Sequence, residues 1–324
     1  MAWRRRTLWL SSIASSVILL GLVVAQVDWS AARTIAAGID YRWVAAGFAL
    51  LLIEGLVTAS RFHLLVRSPA SFGDCLQATA WYVLLLIGLP ARLGEVAGIG
   101  LMIRYMHQRA GTAAASLLFQ RLFDMIVLAL LLAVVCVLAF AGAKTLPILV
   151  LIVSGVAILI ALMLYLEHLL AFAARRLLGR RRDKWHRWFL RIALQARMVR
   201  RHHMDRDRTL KLGAYTVLKW VANLTAIACV VVAVVPTLSP LTALGVGIVY
   251  NLSAVIPIQT VGGFGISEAA LLGSFSWLGY SLDVGAPIAI AIRLALITGP
   301  ILFWFLVMAA TASRARRSSG KEIS

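Results

Sequence analysis

The side chains able to do chemistry are few, and they sit in apolar company. Arg92 and Glu95 are three apart in Leu89-Pro90-Ala91-Arg92-Leu93-Gly94-Glu95, and Arg121 and Asp124 are three apart in Gln120-Arg121-Leu122-Phe123-Asp124. Glu268 closes Gly262-Gly263-Phe264-Gly265-Ile266-Ser267-Glu268, and Arg293 stands alone in the last apolar run. An ionisable group in hydrocarbon is costly unless it is paired or wet, so each of these needs a reason to be there. Arg121 and Asp124 can form an intrahelical ion pair, either to orient their helix or to touch a substrate. Glu95 and Glu268 each fall in the first turn of a short helix, where the macrodipole favours a carboxylate, so simple capping is one reading. In the other reading two half-helix N-termini and Arg92 converge near the bilayer midplane. Their positive ends suit an anionic headgroup, and the glutamates bind a cationic headgroup part, a proton or a counter-ion, or hold Arg92 in place. Arg293 has no local acid and is expected to pair with Glu268. Arg61 shares a face with Glu54 near a helix end, where snorkelling to the interface is the default. Lys219, Asn223 and Asn251 add polar groups near the Glu268 segment.

Most catalytic chemistries lack their parts. The histidines at 63, 107, 168, 186, 202 and 203 lie at helix ends or in a basic stretch, and no Glu-X-X-His pattern exists, so no metal site and no cofactor is expected. Ser267 resembles a nucleophile turn without a base in reach. A membrane lipid pyrophosphatase would need a Ser-Arg-Ser type phosphate cradle, which is absent, so a transporter is expected ahead of a lipid-modifying enzyme. No Gly-X-X-X-X-Gly-Lys segment is present to use a nucleotide.

The elements that must position these groups are membrane helices. Of 324 residues, 61% are hydrophobic and 14% charged, against about 45–50% and about 25% in soluble domains, which excludes a soluble globular enzyme. Hydropathy gives long helices near 7–27, 43–66, 112–141, 147–166, 212–235 and 285–311. The run 7–27 is long for a signal peptide and reads as an uncleaved first span. The neutral stretch 28–42 reads as an external loop. Cys75, Cys136 and Cys229 have no pairing or metal spacing and read as inert core residues.

The net charge of +19 gathers in Arg4–Arg6, in 171–211 with fourteen Lys and Arg against three Asp, and in the tail 312–324. The positive-inside rule puts all three in the cytoplasm, so the number of crossings is even. The 171–211 loop carries Trp185, Trp188, Phe189, Ile192 and Val199 among arginines. It fits a basic amphipathic helix on anionic inner-leaflet lipid, or simple topogenic charge. The membrane is a nearer polyanion than any nucleic acid, so no nucleic-acid partner is expected.

Two regions, 75–107 and 241–280, share one grammar: a short helix, a Pro, a Gly-X-charge break and a second short helix. Parity brings the first in from the cytoplasmic face and the second from the outer face. Opposed re-entrant hairpins of this kind are what an inverted-topology repeat produces, and Pro90, Gly94, Pro257, Gly262, Gly263 and Gly265 would form the breaks. Full crossing by all four short segments preserves parity equally well. The expected fold is therefore an all-α, polytopic integral membrane helix bundle of about eight segments, in two inverted repeats.

The segments 89–95, 120–124 and Ile256-Pro257 with 262–268, in this order and spacing, resemble the lysylphosphatidylglycerol synthase transmembrane-region family, also called flippase-like domain proteins. The resemblance covers nearly the whole chain. That family includes the flippase part of the multiple peptide resistance factor, whose aminoacyl transfer belongs to a separate C-terminal domain. The resemblance implies a single transmembrane flippase-like domain over 1–324, without the synthase. Its implied activity is translocation of a phospholipid or other polar lipid across a bacterial inner membrane. Arg92 would contact the phosphate, Arg121 or Arg293 would be a second cation, and Glu95, Asp124 and Glu268 would compensate charge. A homo-oligomer or a lipid-pathway enzyme would be the protein partner. The competing expectation is a non-transporting scaffold or accessory subunit of a phospholipid or hopanoid pathway.

Overall fold

The computed structural model describes residues 29–66, 70–89, 93–139, 150, 152–161, 165, 169, 172, 206–253 and 265–321. The span expected at 7–27, the breaks at Pro90 to Arg92 and Pro257 to Gly263, and the amphipathic stretch 185–199 lie outside the described residues. The described residues form ten α-helices: α1 Trp29–Ala37, α2 Tyr41–Leu65, α3 Phe72–Gly88, α4 Leu93–Met106, α5 Ala110–Ala139, α6 Ile152–Ala161, α7 Arg206–Val234, α8 Pro240–Ser253, α9 Ile266–Trp277 and α10 Leu282–Lys321. No strand occurs among them. Within these helices Tyr41–Leu65, Ala110–Val135, Arg206–Val234 and Leu282–Ala312 are long and apolar enough to cross a membrane. One sequence expectation is corrected. The stretch 28–42 is largely helical, because Trp29–Ala37 has no Gly or Pro to interrupt it and only Gly38 ends it.

Local sequence fixes several helix starts. Asp40 caps α2, its Oδ1 accepting the Arg42 N–H at 2.9 Å. Ser71 and Asp74 form a capping box at α3: Asp74 N–H donates to Ser71 Oγ at 3.2 Å and Ser71 N–H to Asp74 Oδ2 at 2.8 Å. Ser239 Oγ accepts the Thr242 N–H at 3.2 Å at α8, where Pro240 takes the first helical position, which needs no N–H. Glu268 performs the same service at α9 from the third position, with the Gly265 N–H donating to its Oε2 at 2.6 Å. Gly265 has φ 88°, a conformation a Cβ would strain, so the glycine permits this sharp entry.

The chain divides into two compact units. The first takes Met1–Gly55, Thr79–Ala97 and Val221–Ser324. Its core joins Ile227 to Val235 of and just after α7, Ala243 and Val246 of α8, Leu271 and Phe275 of α9, and Ile288 to Leu296 of α10, with Leu278 and Tyr280 packed on it. The start of α8, the end of α9, the end of α7 and the start of α10 thus lie together. So α8 and α9 run antiparallel within this unit. At about 1.5 Å per residue their described 14 and 12 residues extend about 21 and 18 Å. Asp40 N–H donates to Ala233 O at 3.1 Å, placing the start of α2 at the same end.

Small residues let backbones meet in this unit. A Cβ on Gly94 would stand 2.7 Å from Leu85 O and from the Leu86 Cα, so α4 enters directly against the last turn of α3. Gly55 faces the Phe303 ring and Gly299 faces Leu51, bringing α2 onto α10. Van der Waals packing of this kind, without a hydrophobic driving force, is what holds helices together in lipid.

The second unit takes Leu56–Ala78 and Gly98–Trp220. Phe62, Met102, Met106, Phe119, Leu122 and Leu212 are buried in it, and so is Arg61, as completely as Phe62 beside it.

Gly94→Ala should disrupt the α3–α4 turn, because the atoms it meets are backbone and cannot rotate away. A loss of about 1–3 kcal/mol is expected in reversible unfolding in detergent, whereas Gly100→Ala, which faces open space, should cost nothing.

Candidate functional site

Two buried polar clusters stand out, one in each unit. In the first unit, α9 delivers Glu268 to Arg293 of α10. Glu268 Oε1 and Arg293 Nε are 3.2 Å apart, and both side chains are more than nine-tenths buried. Arg293 Nη1 also donates to the Tyr250 hydroxyl of α8, with the guanidinium carbon 5.6 Å from the Tyr250 ring centre. Beside Tyr250 on α8, Asn251 Nδ2 donates to Asn223 Oδ1 of α7 at 3.0 Å. Asn223 Nδ2 in turn donates to Glu54 Oε2 of α2 at 3.0 Å. Glu54, Asn223 and Asn251 are half-buried, so this side of the cluster keeps some access to its surroundings.

These groups form a layer at one depth. Arg293 is eleven residues into α10, Asn251 eleven into α8, Asn223 eleven from the end of α7 and Glu268 nine from the end of α9, all measured from the shared end. At about 1.5 Å per residue that is about 14–17 Å from that end.

The pairing of Arg293 with Glu268 expected from sequence is present. Glu268 also caps its own helix, as the capping reading of this residue expects. The positive end of α9 is already met by a carboxylate, which makes it a poorer seat for a second anion than an open half-helix would be.

In the second unit, Asp124 of α5 gathers cations from three helices. Arg61 Nη1 of α2 lies 2.9 Å from Asp124 Oδ1, Lys219 Nζ of α7 3.5 Å from the same oxygen, and Arg121 Nη1 3.9 Å from Oδ2. Trp220 Nε1 donates to Oδ1 at 3.0 Å, and Lys219 Nζ lies 3.9 Å from the Trp220 ring centre, within cation–π range. Arg61 Nη2 donates to the Gln120 carbonyl at 3.3 Å.

One sequence expectation is corrected here. Arg61 does not snorkel: it is 1% exposed, because the unit brings a carboxylate to it. The expected intrahelical pair of Arg121 with Asp124 is present, and at 3.9 Å it is the longest of the three cation contacts. Lys219, Trp220 and Asn223 are the partners that sequence reasoning left without roles. Their spacing on α7 was visible, but a residue 96 or 169 positions away cannot be paired by spacing.

Of the other expected site residues, Glu95 lies half-buried in the first turn of α4, and Gly94 and Gly265 stand where short helices begin. Arg92, Pro90, Pro257, Gly262 and Gly263 lie outside the described residues. No group of three or more His, Cys, Asp or Glu suited to a metal occurs among the described residues.

With the membrane-spanning helices and the buried charges in place, comparison with known proteins decides the family. Residues 9–304 match the lysylphosphatidylglycerol synthase TM region. The chain belongs to that family. As a member of the lysylphosphatidylglycerol synthase TM region family with membrane-spanning helices, it is an integral membrane protein of a group tied to lipid handling. No match is found among curated proteins or among solved structures.

The Arg61–Asp124 pair is buried, so removing one partner strands the other. Arg61→Met should destabilise the protein by about 3–5 kcal/mol. In a double-mutant cycle Asp124→Asn should add much less on top of Arg61→Met than it costs alone, read by thermal unfolding in detergent.

Proposed function

We propose that the protein is a lipid translocase, passing the polar headgroup of a membrane phospholipid or other polar lipid between leaflets while the acyl tails stay in the bilayer. The observation that carries this reading is the buried Glu268–Arg293 pair that α9 and α10 bring together, with Tyr250 of α8 against it. Stability alone gives no reason to keep such a pair, since well-packed apolar residues often serve a buried core as well or better. A polar layer that lets a headgroup cross does give one. Half-buried Glu54, Asn223 and Asn251 extend that layer, offering both acceptors and donors to a zwitterionic or anionic headgroup.

In this proposal α8–α9 and α3–α4 are re-entrant hairpins of two inverted repeats, within about eight membrane segments of a bacterial inner-membrane protein with both termini in the cytoplasm. Arg92, at the break before α4, would contact the lipid phosphate, with Glu95 beside it. The basic 171–211 loop would rest on anionic inner-leaflet lipid. Movement would be a rocking of one repeat against the other, driven by a gradient or by the lipid's own distribution. No enzymatic step is involved in this reading, and a homo-oligomer or a lipid-pathway enzyme would be its protein partner.

The test is leaflet exchange of labelled neutral and anionic phospholipids in liposomes holding the purified protein. The native protein should accelerate exchange, and Arg92→Ala and Glu268→Gln, at matched expression and fold, should each lose most of it. Native-like exchange in both folded variants would remove the polar layer from the mechanism. Absence of exchange by the native protein for every lipid tried would favour an accessory subunit of a lipid-modifying pathway.

A further inference from the structure

The second unit holds a set of buried donors that the translocase reading does not use. Arg61 spends Nη1 on Asp124 and Nη2 on the Gln120 carbonyl, and its Nε has no hydrogen-bond partner among the described residues. The Gln120 amide nitrogen and the Ser116 hydroxyl are likewise buried and without partners. The three residues are 1%, 5% and 0% exposed. They belong together: Ser116 and Gln120 are four apart on α5, hence on one face, and Arg61 of α2 meets that face at Gln120.

A buried polar group left unsatisfied costs stability, and native structures hold few of them. Three on one patch call for an occupant. Their chemistry defines it, since a guanidinium N–H, an amide NH2 and a hydroxyl can all donate. The complement is a group rich in acceptor oxygens, and the positive charge of Arg61 favours an anion. A carboxylate offers two acceptor oxygens, whereas a phosphate group offers three or more. Asp124 does not fill this role, because it lies on the Nη1 edge of Arg61 and beside Trp220. Lys219 and Arg121 flank it and offset its repulsion of a second anion. Arg121, next in sequence to Gln120, keeps a third of its side chain exposed.

We infer that Arg61 Nε, Gln120 Nε2 and Ser116 Oγ form a phosphate-binding subsite in the second unit, with Lys219 and Arg121 as flanking cations. The phosphate is either that of a lipid headgroup or a free one. The subsite does not require translocation and is read by binding.

The full chain in detergent is titrated with sodium phosphate against sodium chloride at constant ionic strength, with short-chain phosphatidylglycerol, and with short-chain diacylglycerol, following the thermal midpoint. The midpoint should rise with a phosphate-bearing probe and not with diacylglycerol. A response to both phosphate probes assigns a general phosphate site, to phosphatidylglycerol alone a lipid site, and to inorganic phosphate alone a free-anion site. Gln120→Leu is close to isosteric and removes an unsatisfied buried donor, so without ligand its midpoint should equal or exceed the native one. Its affinity for phosphate should fall at least about tenfold, and Ser116→Ala should weaken binding in the same direction. No response of the native protein to either phosphate probe, or an undiminished response in Gln120→Leu and Ser116→Ala, would overturn the inference. Loss of leaflet exchange with phosphate binding intact, or the reverse, separates this subsite from the translocase reading.

Discussion

A carboxylate held in hydrocarbon must be paired, and Glu268 meets that condition twice with one side chain. One oxygen accepts the N–H of Gly265 and the other faces Arg293. The first contact lets a helix begin in the interior of the unit, where no water would satisfy its first amide groups. The second ties that helix start to the long span α10. Without the pair, the start of α9 would carry either an unpaired charge or an uncapped end. The short helices, the strained glycine and the depth of the polar layer all depend on it.

The two units solve the same problem with different balances. Around Glu268 the described residues alternate acids, amides and one guanidinium, so that acceptors and donors both reach the half-buried edge. Around Asp124 a single carboxylate organises three cations and an indole N–H. Helices α2 and α7 supply both clusters: α2 gives Glu54 to one and Arg61 to the other, and α7 gives Asn223 to one and Lys219 with Trp220 to the other. Apolar helices with two or three polar residues each are therefore enough to build both clusters.

Much of this was legible in the residue order. The helix start at Gly265 follows from a short-range capping pattern in which Glu268 acts from three residues away. The break before Glu268 and the isolated Arg293 pointed to one another because each was an unexplained charge in an apolar run. Arg61 was misread for a physical reason. Four residues from a helix end, a long cation can reach water by itself, and only the arrival of Asp124 from another helix removes the need. The helix at Trp29–Ala37 was hidden because its polar residues imitate a loop.

The sequence by itself determined that this chain lives in a membrane, roughly where several of its long helices run, and which side chains are too costly to be incidental. Those are properties of composition and of contacts within a turn or two, and they depend on nothing remote. Only the tertiary structure decided which charge meets which. Asp124 and Trp220 are 96 residues apart, and Glu54 and Asn223 are 169 apart. A helix fixes the face a residue occupies but not the helix that packs against it. That choice rests on small residues such as Gly55, Gly94 and Gly299, whose missing side chains set how closely two backbones approach.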